Sequence, residues 1–468
     1  MKLQVLISTF LFMSAIHAQN VGIGIATPKA MLHIKGNADT SQLVIDANAT
    51  QSNSRPLIRL RKADGTDLLH IHSDNINNTF VGLNAGRVNN AVGGGIYNSF
   101  FGSNAGYSNS IGNYNTAIGF KTLFSNNSGA NNTASGYQAL FSNTDVGANT
   151  ASGYQALFSS NADANTANGF RALYSNNLGV FNTSSGYQAL YYNSSGSYNT
   201  SNGSQALYNN TTGSSNVATG SQALYYNNGN NNTANGSSAL YNNTTGIENT
   251  AIGDLALYYN IGGSYNIGIG YNSGTYSGTP NIYNSIGIGN DGILNGTNNQ
   301  VVIGNFSTDR YYSHVPWGTF SDARIKKDIK EEVKGLDFIT RLRPVTYYKS
   351  IKAMQTITDS KETKDFPGKY DVEKIKFSGF LAQEVEKAAN ESGYDFSGLH
   401  KPNNSREMYA LSYETFVVPL VKAVQEQQAM IEEMKIENRK LKTENEELRT
   451  SIHEQNARLQ KLEALLLK

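Results

Sequence analysis

Cysteine is absent from all 468 residues, which excludes a disulfide framework, a thiol nucleophile and acylation of an N-terminal cysteine after export. Excess charge of either sign is absent too. A formal net charge of +1 leaves no basic surplus for nucleic acid. Beyond the first eighteen residues no stretch is long and apolar enough to form a membrane helix. Paired carboxylates in a substantial globular domain are missing as well. Asp145, Asp163, Glu248 and Asp254 are scattered through a polar region with no consistent constellation, so glycoside hydrolysis has no candidate acid and base.

What is present falls into two regimes. Residues 1–18 carry one early lysine, an apolar run over 3–16 and a small residue at Ala18. This pattern reads as a secretory signal peptide with Gln19 as the mature start, and places the protein outside the cell, secreted or on the surface. From about Phe80 to Asn305 the chain is built of Asn, Ser, Thr, Gly and Tyr with few ions, whereas Lys and Glu dominate from Ser321 onward.

The polar region would read as disordered by composition, but it is periodic. Asn115-Thr116-Ala117-Ile118-Gly119 recurs as Asn132-Thr133-Ala134-Ser135-Gly136 and onward to Asn249-Thr250-Ala251-Ile252-Gly253. Motif glycines fall at 102, 119, 136, 153, 169, 186, 203, 220, 236, 253 and 270. An interval of sixteen or seventeen residues is a solenoid period. Two short strands per coil fit this spacing. The Ala-Leu pairs (Ala139-Leu140, Ala156-Leu157) are expected to stack as an inner ladder, with Asn and Gly at the tight corners. A stack of about a dozen coils at ~4.8 Å each would make a rod of roughly 60 Å. Such coils resemble the left-handed β-roll repeats in the heads of trimeric autotransporter adhesins.

Ahead of the repeats, residues 21–34 resemble the start of many exported tail-fibre-like bacterial proteins. Asp64-Gly65 between two apolar stretches signals a hairpin. His70 and His72 fall on the same side of its second strand. In a threefold assembly they would present six imidazoles to an axial metal, but no acidic or further His ligand supports this, and the expectation is two solvent-facing histidines with no metal and no cofactor.

From Ser321 the sequence changes character. Ser321-Asp322-Ala323-Arg324-Ile325-Lys326 is followed by Leu336-Asp337-Phe338 with Leu342-Arg343-Pro344-Val345. Then come Gly379-Phe380-Leu381-Ala382-Gln383-Glu384-Val385, a strand end turning into a helix, and Tyr409-Ala410-Leu411-Ser412-Tyr413. Residues 352–369, polar and charged with Pro367-Gly368, read as a flexible loop. From Val417 apolar residues recur as heptads: a at Val417, Val424, Ile431, Ile452, Leu459 and Leu466, with Asn438 and Asn445 as polar exceptions; d at Leu420, Met434, Leu441, Leu448 and Leu462, with Gln427 and Gln455. That pattern predicts a coiled coil with Pro419 in its first turn.

These motifs, in this order, resemble the intramolecular chaperone family first described on endosialidase tail spikes, also present in a membrane-bound transcription factor that cuts itself. The resemblance implies cleavage between Phe320 and Ser321, with Ser321 as nucleophile and Lys326 completing a Ser-Lys dyad. A serine hydroxyl needs a neighbouring base, and lysine serves when burial lowers its pKa. Asp322 and Arg324 are candidate supports, Arg324 or backbone amides steadying the oxyanion. His400 is a weaker candidate helper. Read as local structure alone, Ser321 merely caps a short helix with Lys326 solvated.

The sequence therefore predicts a mostly β fibre with a C-terminal α+β module and a long coiled coil. Its parts are a signal peptide (1–18), an N-terminal β segment (19–77), a repeat rod (78–305), a linker (306–320), a self-cleaving chaperone module (321–416) and a coiled coil (417–468). Both resemblances imply a homotrimer, so the principal partner is the chain itself. The rival is a non-cleaving surface adhesin or scaffold, with a surface glycan as ligand.

Overall fold

The computed structural model describes residues 21–23, 32–34, 43, 45–46, 53, 55–275, 280–292, 298–310, 312, 314, 318–358 and 367–467. The signal-peptide reading of residues 1–18 lies outside them. The chain divides into two compact units, residues 1–216 and 217–468.

In the first unit, Ile58–Arg61 and Asp67–His72 form the antiparallel hairpin announced by Asp64-Gly65. Asp67–His72 then pairs antiparallel with Thr79–Val81. From there each coil adds one three-residue strand in parallel, in a register that places Phe80, Phe100, Ala117, Ala134, Ala151, Ala167, Ser184 and Ser201 in one column. This middle position of each strand is buried and its neighbours face outward, as the pleat requires. The second unit opens with coils of the same kind, Ala218, Ala234, Ala251, Gly268, Gly287 and Val302 forming its column.

The expected Ala-Leu ladder is present: Ala139, Leu140, Ala156, Leu157, Ala189 and Leu190 are fully buried. The expected second strand is not. Gln138 and Leu140 have φ of 55° and 51°, and Gln155 and Leu157 repeat this at 54° and 49°. Residues alternating through the left-handed region cannot run extended. They still bond to the next coil, Leu140 N–H donating to Ala156 O and Leu157 N–H to Ala172 O, each at 3.0 Å. Among the described residues a second strand forms only at Ser159–Ser160 and Ser175–Asn176, which pair in parallel. Each outer strand ends at a glycine such as Gly153 (φ 136°), where a Cβ would run into the carbonyl of Gly169 in the following coil.

The motif asparagines do more than turn corners. Asn182 N–H donates to Asn165 Oδ1 (3.0 Å), its Nδ2 donates to Gly196 O (2.9 Å), and its own Oδ1 accepts from Asn199 N–H (3.0 Å). A second column runs Asn126 Nδ2 to Asn109 Oδ1 and Asn143 Nδ2 to Asn126 Oδ1. These side chains are buried, so the corner asparagines also line the interior. Aromatic rings stack from coil to coil as well, as in Phe120, Tyr137, Tyr154, Phe170 and Tyr187, with centroids 5.0–5.5 Å apart.

His70 and His72 share one side of their strand, as alternation requires, but that side faces inward: both are buried. They are not solvent-facing, because His72 lies against Phe80 (5.2 Å) at the foot of the buried column and His70 Nε2 sits 3.3 Å from the Asp67 carboxylate.

The second unit also contains a small α+β module. Val345–Tyr347 pairs antiparallel with Phe377–Gly379, and Leu399–His400 with Ala410–Leu411. Helix Ala382–Ser392 follows the first pair and stops at Gly393, whose φ of 63° suits a left-handed cap. Phe338, Val385, Ala388, Ala389, Phe396 and Phe416 form the core. Residues 352–358, expected as loop, belong to a helix, Ile351–Thr358, and the Ile351 N–H at its start donates to Glu373 Oε1 at 2.7 Å.

A helix of 50 residues, Val417–Leu466, completes the chain, with Pro419 in its first turn as expected. At ~1.5 Å per residue it is about 75 Å long. Pro419 and Ala423 are buried, and the Glu426 carboxylate accepts the Leu336 N–H (2.7 Å). The module thus occupies a face of the helix that is neither a nor d. Val417, Leu420, Val424, Met434, Leu448 and Leu462 on the a and d seam remain exposed.

Asn182→Ala leaves the Asn199 N–H buried without its partner and takes one of two donors from Gly196 O, which keeps Asn193 Nδ2 (2.8 Å); it should destabilise by about 1–3 kcal/mol, read as a lowered denaturation midpoint. Burial chiefly, with His70 adding, holds His72 below the usual histidine range. As pH falls through about 6.5 the unfolded chain binds a proton that the folded chain refuses, so stability is lost with falling pH. The melting temperature should therefore drop on acidification, and His72→Phe should flatten that dependence.

Candidate active site

Ser321 precedes a single 3-10 turn, Ala323–Ile325. Its cap is Asp322 rather than Ser321: Asp322 Oδ1 accepts the Arg324 N–H at 2.9 Å, satisfying one of the turn's free donors. Arg324 also closes onto the same carboxylate through its guanidinium, with Nε 3.0 Å from Oδ2. That contact, more than the backbone bond, holds the Asp322 carboxyl below the usual carboxylate range, and Asp322 raises the Arg324 guanidinium in return. In this arrangement the Arg324 guanidinium lies on the Asp322 carboxylate.

The turn brings the fifth residue after Ser321 back beside it. Lys326 Nζ donates to Ser321 Oγ at 2.8 Å. One chain alone makes this approach, because the reversal is set by the local Asp322 cap. Both side chains are exposed, and Phe320 on the other side of the candidate scissile bond is 94% exposed. The geometry supplies a nucleophile and an amine within proton-transfer reach. General-base action needs the reverse polarity, a neutral amine accepting from the hydroxyl.

Two apolar residues of this segment went unmarked in the sequence reading. Ile325 and Ile329 are 64% and 74% exposed, and their i, i+4 spacing among lysines gave the only hint. His400 is exposed and lies on the short strand paired with Ala410–Leu411. A cleft of about 720 Å³ in the module is lined by Tyr347, Lys349, Glu407, Tyr409 and Tyr413, but by neither Ser321 nor Lys326. Glu407, unremarked in the sequence, is buried there and accepts the Asn403 N–H. Among the described residues no group of three or more His, Asp or Glu side chains is placed to hold a metal ion.

The family model described as the chaperone of endosialidase, Peptidase S74, matches residues 321–394. Neither a curated protein nor a solved structure matches the chain. The chain thus joins a β-solenoid to a C-terminal segment that matches the chaperone of endosialidase, and the match begins at Ser321.

Proposed function

We propose that this chain is an exported fibre protein that associates as three parallel copies, and that its C-terminal module aligns those copies and then cuts itself free. The observation that carries the reading is the 2.8 Å contact between Lys326 Nζ and Ser321 Oγ at the first residue of the matched segment. The exposed a and d seam supports association, since a coiled coil buries it only between chains. Long stacked β structure forms slowly, and a helix bundle that gathers the copies first relieves part of that entropic cost.

The cleavage step needs no cofactor. Lys326 takes the Ser321 Oγ proton as Oγ attacks the Phe320 carbonyl carbon. The Phe320–Ser321 C–N bond breaks, the proton passes to the Ser321 nitrogen, and an ester joins Phe320 to Oγ. Water then opens the ester, leaving a carboxylate on Phe320 and a free amine on Ser321. Burial of an amine favours its neutral, basic form, so an active pair calls for a neighbouring chain that covers it. The exposed Ile325 and Ile329 beside it are the surface such a chain would cover. Cleavage is thereby tied to assembly.

The exposure of the pair also favours a second reading, in which the module stays attached and the protein is a surface scaffold. A glycan ligand finds little support in the solenoid, because the exposed rings of the Phe120 to Tyr187 column cover one another's faces, with interplanar angles of 6–18°, and leave only edges for a sugar.

The purified protein should yield a C-terminal fragment of 148 residues (468 − 320). Ser321→Ala should abolish it, and Lys326→Arg, which keeps the charge but removes a usable base, should slow its appearance roughly 10²–10⁴-fold. Ser321→Ala is expected to keep its intact mass and still to sediment as an assembly. A 148-residue fragment persisting in Ser321→Ala, or its absence from the wild type, would refute the cleavage step.

A further inference from the structure

In every coil the first and third strand positions face outward. Through the middle coils they hold polar residues: Thr133 and Ser135, Thr150 and Ser152, Thr166 and Asn168, Thr200 and Asn202. The fold therefore does not require aliphatic side chains there. In the last three coils both outward positions become aliphatic. Ile267, Ile286 and Val301 align in one column and Ile269, Ile288 and Ile303 in the other. Ile269 and Ile288 are each 36% exposed and Val301 is 65% exposed. An uncharged, β-branched, double column on an open sheet face is the kind of contiguous patch that marks an interface.

We infer that this face packs against the same face of other copies of the chain, and that it holds the copies together at the C-terminal end of the solenoid independently of the long helix. The occupant is a second copy for three reasons. The patch carries no charge for a partner of opposite sign, and an aliphatic stripe is complementary to itself. A closed symmetric assembly brings the same surface of each copy to its axis. The third reason is reach: Ile303 lies 18 residues before Ser321 (321 − 303), a tether of at most about 65 Å when fully extended, so copies joined through their helices keep these faces within range. The inference rests on the proposed parallel association but not on cleavage. If the module is cut away, this face is what keeps the fibre assembled.

The cysteine-free sequence makes the test clean. Ile288→Cys and Ile269→Cys are compared with Asn202→Cys, the matching outward position of a polar coil, in the full-length protein treated with a short bis-maleimide. Linked chains are read on a denaturing gel and association by sedimentation of the same samples. Linked chains should be about tenfold or more abundant for Ile288→Cys and Ile269→Cys than for Asn202→Cys, as expected for groups held at high effective concentration. Equal linking at all three positions, or none at Ile288→Cys and Ile269→Cys in a sample that sediments as an assembly, overturns the inference. A monomer by sedimentation overturns the association reading with it, while the 148-residue fragment on the same gel reports cleavage separately.

Discussion

A coil of sixteen or seventeen residues carries one Ala-Leu pair and a few small side chains, far too little to exclude water alone. Its polar backbone must find partners in the coil that follows, and the repeated asparagines make this possible. Each one satisfies a backbone group of a neighbour while occupying the interior, so the stack is buried yet polar. This constraint explains several features at once. Glycine sits where coil backbones come closest, leucine accepts a left-handed conformation at a cost of order 1–3 kcal/mol, and the period scarcely varies. Stability in such a stack is a property of interfaces between coils rather than of any coil.

The opposite end of the chain solves a different problem. The module has a conventional aromatic core around Phe338, Phe396 and Phe416 and lays part of that core against the beginning of the long helix, away from its a and d seam. A helix held this way is fixed to its own module and open to other chains on separate faces. Local geometry has a comparable division of labour at Ser321: Asp322 and Arg324 settle each other's charges and fold the turn, and the turn delivers Lys326 to the hydroxyl.

Much of this was legible in the sequence because the motifs repeat or recur in order. The period, the Ala-Leu ladder, the Asp64-Gly65 hairpin, the Gly379 to Val385 strand-to-helix transition and the long C-terminal helix all follow from local pattern. The misreadings share a cause: each depended on a residue far away in sequence. Leu140 has no intrinsic preference for φ of 51°; stacking on Ala156 imposes it, and the second strand is lost. Alternation placed His70 and His72 on one side, but Phe80 decides that the side is the interior. The helix Ile351–Thr358 starts on a carboxylate 22 residues downstream, a cap invisible to local reading. At the candidate site the pairing of Ser321 with Lys326 was legible from the family resemblance, while the binding of Arg324 to Asp322 required coordinates.

The columns of stacked rings carry one more consequence. Tyrosines and phenylalanines held nearly parallel about 5 Å apart along successive coils have their electronic transitions in fixed mutual orientation. Light absorbed by one ring is shared with the next, and the coupling vanishes when a coil unstacks. The solenoid therefore contains its own optical gauge of coil-to-coil order, distributed along its length and needing no added dye.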